Sequence, residues 1–416
     1  MTTWLHSFSL ESEVAYFVLI FALLIVPHAL QRFLVPAPLT CFGLGVLAAL
    51  FLAEFSQDAT LALMGTLGIS SLFLFAGLEV DVKLLLRARW PLLGHLAVRT
   101  LTIAAGIFVG IRYFAFSAQV AALLALALLT PSTGFILDML QRLGLNEDER
   151  FWVTTKAIGG ELFALVVLFG VLRVDKPDEL AWATAALVAL IVLLPALFLL
   201  LGRFIIPHAP GSSFSLLVMV GLIAAYLTKQ LGVYYLVGAF LAGFTARQLR
   251  ERLPALASRD NLHAVKLFAS FFVPFYFFHR GVNVPPEALN TEALELGLLI
   301  TGAVLPIRVL VVWAQRRFIR HESGRSSLNV ALALTPTLIF TLVLATILRE
   351  RFALPAVWYG ALLIYAGLSA IVPSLLLSRP IDFELHDFVD PQPSEMPPAK
   401  SRSGAEAGVD SSKVDA

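Results

Sequence analysis

The chain has 416 residues, 58% of them hydrophobic and 14% charged, with a net charge of +1; a soluble chain would be about half apolar and about a quarter charged. That balance gives no electrostatic basis for a nucleic-acid partner, and the single cysteine, Cys41, excludes an internal disulfide and a cysteine-rich metal site. No polar stretch is long enough to hold a soluble catalytic domain, and no His-rich metal spacing or nucleophile elbow appears, so an enzyme is not expected.

Apolar runs of about twenty residues, the length that crosses a hydrocarbon core of about 30 Å, recur from Phe17 to Leu377. Strict alternation is absent, which argues against a barrel and leaves helices that satisfy their own backbone groups. The pattern predicts an all-α polytopic membrane protein with about thirteen transmembrane helices. Their expected limits are 14–31, 38–53, 60–79, 91–113, 117–140, 152–173 and 180–206, then 212–229, 231–247, 264–282, 293–319, 326–349 and 355–378. Residues 1–13 lack a basic leader region and carry Glu11 and Glu13, so the first span is expected to be retained. One set of alternate loops carries sixteen Lys and Arg residues and the other seven. The richer set is expected in the cytoplasm, which puts the N-terminus outside and the C-terminus inside, in the cell's inner (cytoplasmic) membrane.

Taken in chain order, the polar residues inside these spans are few. Arg99 lies about nine residues into the fourth span, where it is expected to pair with an acid or tie two bundles together. The fifth carries Thr130-Pro131-Ser132-Thr133; proline lacks an N–H and frees the carbonyl four residues earlier, here Ala127. Asp138 follows near the inner end of that span, as an interfacial acid. The sixth span holds Glu161 within Ala157-Ile158-Gly159-Gly160-Glu161-Leu162-Phe163-Ala164-Leu165-Val166-Val167-Leu168-Phe169, and such helices rarely carry a carboxylate without a use for it. Lys156 sits five residues earlier, about 140° around the helix, and is expected to snorkel to the interface. His279 and Arg280 near the end of the tenth span read as packed or headgroup contacts. Arg308 lies in the eleventh span, and Thr335-Pro336-Thr337 in the twelfth, where Pro336 would free Leu332.

Residues 126–137, Leu-Ala-Leu-Leu-Thr-Pro-Ser-Thr-Gly-Phe-Ile-Leu, match 332–342, Leu-Ala-Leu-Thr-Pro-Thr-Leu-Ile-Phe-Thr-Leu. By the charge count the two run in opposite directions, as inverted-topology repeats with two broken, crossing helices do. At about 1.5 Å per residue, Thr130, Glu161, Arg308 and Thr335 all fall about 14–16 Å from the cytoplasmic side, near the midplane of a core about 30 Å thick. Interrupted backbone at that depth must be buried in protein or line a wet cavity. Glu161 can hold a proton or a monovalent metal cation, but not both comfortably. Competition for one site, opened alternately to each face, suffices for exchange. Thr130, Ser132, Thr133, Thr335, Thr337 and nearby carbonyls are the expected additional oxygen ligands. Arg308, always protonated, is expected to balance Glu161 and the negative ends of the broken helices. No cofactor is implied.

Two further motifs carry a resemblance. Leu74-Phe75-Ala76-Gly77-Leu78-Glu79-Val80-Asp81 ends the third span, and Gly238-Ala239-Phe240-Leu241-Ala242-Gly243 lies in the ninth; the segment 32–45 adds to them. Residues 1–380 resemble the transport domain of monovalent cation:proton antiporters, in the branch with bacterial sodium/proton exchangers and glutathione-gated potassium efflux proteins. The resemblance implies a core bundle and a dimerisation bundle, elevator-like alternating access, a homodimer in membrane lipid, and Na⁺ or K⁺ with H⁺ as substrates. Arg308 matches the basic residue the family places opposite its ion site. Where the family carries an acidic pair, or Asn or Gln followed by Asp, this chain has Gly160-Glu161. One carboxylate implies one-for-one, electroneutral exchange; the alternative is a transport-inactive ion sensor or scaffold on the same fold. Many relatives have a Gly-Glu-Phe type sequence where this chain has Thr337-Leu338-Ile339-Phe340. The nucleotide-binding domain that some potassium-efflux relatives append is absent from the sequence, so nucleotide gating in cis is not expected. Residues 381–416, rich in Pro, Ser, Asp, Glu and Lys, are expected to be a disordered cytoplasmic tail.

Overall fold

The computed structural model describes residues 12–377 apart from 52, 141, 174–176, 210, 232–234 and 320, so the expected tail lies outside the described residues. The regular elements are helices: α1 Ser12–Gln31, α2 Ala37–Phe51, α3 Ala59–Glu79, α4 Val82–Arg87 and α5 Arg89–Phe114. There follow α6 Ala118–Leu129, α7 Thr133–Met139, α8 Glu147–Val171, α9 Pro177–Phe204, α10 Ser213–Gln230 and α11 Tyr235–Gln248. The last five are α12 Arg259–Val282, α13 Thr291–Ala314, α14 Gly324–Ala333, α15 Leu338–Phe352 and α16 Ala356–Leu377.

Helix starts follow the capping chemistry of the sequence. Asp58, Ser258, Asn290 and Ser323 each accept a backbone N–H from the first turn of α3, α12, α13 and α14. Asn146 and Glu149 form a reciprocal capping box at α8, with bonds of 2.8 and 3.1 Å.

Ten helices among the described residues are long and apolar enough to cross a membrane, or eleven if α14 and α15, bent by 43°, count as one span. The expected thirteen is not reached on that measure. Two of the thirteen apolar segments are described over shorter helical lengths, α2 over 15 residues and α11 over 14. At about 1.5 Å per residue these span less than the hydrocarbon core. Phe17 and Phe21 on α1 and Trp182 and Val192 on α9 are exposed, as suits lipid-facing helices, whereas α3 and α6 are largely buried.

Both proline breaks appear where the sequence places them, at 130–132 between α6 and α7 and at 334–337 between α14 and α15. They touch. The Ser132 N–H donates to the Pro336 carbonyl at 2.8 Å, and the Phe340 N–H donates to Ser132 Oγ at 3.0 Å. The carbonyl of Ala127, freed by Pro131, accepts the Thr341 hydroxyl at 2.7 Å. The carbonyl of Leu332, freed by Pro336, accepts the Thr335 hydroxyl at 2.8 Å.

Close backbone approach fixes α3 against α11. A Cβ added to Gly77 would lie 2.2 Å from the Phe240 carbonyl oxygen, and one added to Gly243 would lie 2.0 Å from that of Leu74. Each of the two motifs therefore supplies the gap for the other's backbone, the use small residues have between membrane helices. Gly243→Ala is expected to abolish the monodisperse peak on size exclusion in detergent. Gly302→Ala, whose added Cβ meets nothing within 4 Å, is expected to retain it.

Candidate functional site

Glu161 sits on the middle of α8 and is only 5% exposed. Its carboxylate accepts the backbone N–H of Thr133, the first residue of α7, at 2.9 Å. The Thr133 side chain faces the same carboxylate. The Thr130 hydroxyl, fully buried in the same break, has no hydrogen-bond partner among the described residues.

The other expected oxygens are engaged in holding the breaks. Ser132 ties the two breaks together through its N–H and its hydroxyl. The Thr335 hydroxyl bonds the carbonyls of Leu332 and Ser369. Thr337 bonds the Ser369 hydroxyl through both its N–H, at 3.3 Å, and its own hydroxyl, at 3.1 Å. The structure thus brings Glu161 and Thr133 together, with Thr130 in the same break and Ser132, Thr335 and Thr337 on the framework that joins the two breaks.

Arg308 on α13 closes the carbonyl end of α14. Its Nη1 donates to Thr335 at 2.8 Å and to the Tyr365 hydroxyl at 2.8 Å, and its Nη2 donates to Leu334 at 3.0 Å. The Tyr365 hydroxyl in turn donates a hydrogen bond to the Leu128 carbonyl at 2.5 Å. Arg99 on α5 does the same at the end of α6, where its Nη2 donates to Leu129 at 3.1 Å. Helix C-termini carry partial negative charge, so both arginines sit where the field favours them. Donors therefore reach six carbonyls around the breaks: those of Ala127, Leu128, Leu129, Leu332, Leu334 and Thr335. No direct salt bridge joins Glu161 to either arginine among the described residues. Arg99 is the cation whose charge acts on it.

A cavity of about 50 Å³ lies between α5 and α13, lined by His95, Arg99, Pro131, Arg308 and Thr335 among others. A larger one, about 180 Å³, opens beside α7 and is lined by His28, Asp138, Arg142 and Lys266. Asp138 thus faces a cavity. Lys156 departs from its expected place: it is 1% exposed rather than at the interface. The first half of α8 is covered by neighbouring helices, as the Asn329–Glu149 bond from α14 shows.

The transmembrane model of the sodium/hydrogen exchanger family matches residues 17–381. The chain belongs to the sodium/hydrogen exchanger family. One relative from Methanocaldococcus jannaschii, a probable Na(+)/H(+) antiporter 3, is 24% identical over 347 residues, 80% of this chain and 88% of the relative. The structure of the sodium proton antiporter MjNhaP1 from the same organism at pH 8 matches with a TM-score of 0.64. That match covers 88% of this chain and 96% of the other at 15% identity, and it shows a shared fold. Family membership makes this exchanger a transporter in the monovalent cation:proton antiporter class rather than an enzyme.

Three polar residues of this exchanger hold the breaks together from α15 and α16. Tyr365 and Ser369 stand four residues apart in the apolar run of α16, which puts two hydroxyls on one helix face. Thr341 stands alone in the apolar start of α15. Tyr365→Phe would leave the Leu128 carbonyl without its donor and Arg308 without one acceptor. An unmade buried bond costs about 1–3 kcal/mol. The variant is expected to unfold at a lower temperature in detergent, while Tyr113→Phe, at an exposed tyrosine, is expected to be unchanged.

Proposed function

We propose that this chain is a secondary transporter of the cytoplasmic membrane that exchanges Na⁺ or K⁺ for H⁺, one cation per proton, with Glu161 as the shared site. One contrast carries the reading. Two carboxylates are buried among the described residues, Glu149 and Glu161. Glu149 accepts a bond on each of its two oxygens, from Asn146 and Asn329. Glu161 accepts one backbone N–H, leaving most of the roughly four acceptor positions of a carboxylate for a proton or a metal cation. Thr130 and Thr133 supply the nearest further oxygens. Ser132, Thr335 and Thr337 hold the frame, and Arg308 balances the carbonyl end of α14.

The order of elements supports an inverted repeat. Arginine-bearing α5, broken α6 and α7, and then α8 correspond to arginine-bearing α13, broken α14 and α15, and then α16. The single site acid supports electroneutral exchange. The excess of loop Lys and Arg supports an outer N-terminus and a cytoplasmic tail at 381–416, and the family resemblance supports a homodimer. The printed descriptions of the relatives, a probable Na⁺/H⁺ antiporter and a sodium proton antiporter, make Na⁺ the first cation to try.

In proteoliposomes carrying a trapped pH dye, Na⁺ or K⁺ pulses are expected to drive proton movement at a rate independent of membrane potential. Glu161→Gln is expected to abolish it; full exchange in that variant would remove the central claim. Cation binding by the wild-type protein without any flux would instead assign the ion sensor. Thr130→Val is expected to raise the KM for the cation about tenfold, equivalent to about 1.4 kcal/mol, with little change in the maximal rate.

A further inference from the structure

A third cavity shares no residue with the site around Glu161. Its volume is about 450 Å³, inside the range of about 300–1,000 Å³ common for small-molecule sites. Its polar lining comes from three helices: Glu79 ends α3, Arg150 and Thr154 lie in the first two turns of α8, and Arg259, His263 and Lys266 lie in the first two turns of α12. Apolar side chains of α3, α7 and α12 complete the wall.

Arg259, His263 and Lys266 follow one another at steps of four and three, so α12 turns one face of bases to the cavity. Lys266 lies about 10 Å beyond Arg259 along the axis, at about 1.5 Å per residue, and is half-buried. The positive charge therefore runs from the rim into the wall.

Helix stability does not account for these bases. Arg259 opens α12 and Arg150 follows the capping box of α8, where the partial positive charge of a helix N-terminus opposes a cation. Other bases of the chain are neutralised: Lys83 pairs with Glu251 at 2.9 Å, Arg247 with Asp81 at 3.7 Å, and Arg316 with Glu322. No such pair reaches Arg150, Arg259 or Lys266 among the described residues. Glu79 is the one acid in the lining, so these three bases face one carboxylate and leave a formal excess of two positive charges, before His263 is counted.

We propose that this cavity is a binding site for a phosphomonoester, held by Arg150, Arg259 and Lys266 with Thr154 and His263 as further hydrogen-bond donors. A phosphomonoester carries about −1.5 to −2 charge at pH 7, which matches the excess. Guanidinium forks suit its oxygens, and basic pockets between membrane helices take up lipid headgroups. The same chemistry is offered by a lipid, phosphatidic acid, and by soluble phosphomonoesters or phosphate itself. α12 packs on α2 and α3, whereas α8 packs on α5, α6, α7 and α14, so the bound group bridges Arg150 on one set of helices to Arg259 and Lys266 on the other. The site does not depend on which acid carries the exchange.

The test is thermal unfolding of the purified full chain in detergent, titrated separately with short-chain phosphatidic acid, short-chain phosphatidylglycerol, sn-glycerol 3-phosphate and inorganic phosphate. A ligand of the folded state raises the unfolding temperature with its concentration. A response to phosphatidic acid alone assigns the lipid as the source; a response to glycerol 3-phosphate or phosphate assigns the soluble one. Phosphatidylglycerol, a diester of lower charge, is expected to act only at higher concentration than the monoester. Arg150→Gln/Arg259→Gln is expected to raise the half-saturating concentration about tenfold or more, through loss of two charge-assisted contacts. Arg250→Gln/Arg252→Gln removes two exposed bases outside the cavity and is expected to leave it unchanged.

No response to any of the four compounds overturns the proposal. Equal weakening in the two double variants does so as well, since it would show diffuse attraction to the surface. Phosphatidylglycerol acting at the same concentration as phosphatidic acid overturns the assignment to a monoester. If Arg150→Gln/Arg259→Gln does not fold, Lys266→Gln decides: an unmoved half-saturating concentration in that variant overturns the proposal.

Discussion

Two interrupted helices repair each other, and the rest of the molecule is arranged around that repair. A proline break in hydrocarbon leaves a carbonyl unpaired and a stretch of backbone without its ladder. Here the break at 130–132 and the break at 334–337 lie in contact and exchange bonds. Ser132 gives its N–H to Pro336 and takes the N–H of Phe340, while Thr341 covers the carbonyl that Pro131 uncovers. Unsatisfied, these groups would each cost about 1–3 kcal/mol. Neither break is an acceptable structure by itself; the pair is. The arginines, Tyr365 and Ser369 then take the remaining carbonyls and the hydroxyls of the second break.

The repaired pair is not chemically symmetric. Both half-helix carbonyl ends are covered by arginine, Arg99 for α6 and Arg308 for α14. Past the breaks the two halves diverge. The second, at Thr335 and Thr337, is closed by Ser369 on the neighbouring helix. The first offers the Thr133 N–H to an acid and leaves the Thr130 hydroxyl free of protein partners among the described residues. The unmet hydrogen-bonding capacity therefore concentrates on one half, and the other is closed.

Much of this could be seen in the chain beforehand, wherever one residue carries a large local cost. Pro131 and Pro336 announce their breaks because proline cannot continue a helix without loss, and Glu161 and Arg308 stand out because charge in an apolar span is expensive. What stayed hidden depends on which way a helix faces and on partners far along the chain. Thr341 looks like an ordinary small residue until its acceptor, 214 positions away, is known. Tyr365 and Leu128 are 237 apart. Lys156 was expected at the interface because snorkelling assumes a lipid-facing helix, whereas tertiary packing covers that part of α8. Thirteen apolar segments are readable, but apolarity does not fix helix length, and α2 has 15 residues.

The two buried acids of α8 are held in different ways. Glu149 accepts a backbone N–H and an Asn329 amide, and the first of these bonds belongs to a capping box. Glu161, twelve positions later, has a single backbone donor, 8% exposed Arg99 near it without a direct salt bridge, and hydroxyls rather than amides beside it. Were both of its oxygens bonded like those of Glu149, any incoming ion would first have to displace protein bonds worth about 1–3 kcal/mol each. Were it given no compensation at all, desolvation would hold it neutral and closed to a cation. Glu161 lies between those limits, with one backbone hydrogen bond and one offset positive charge.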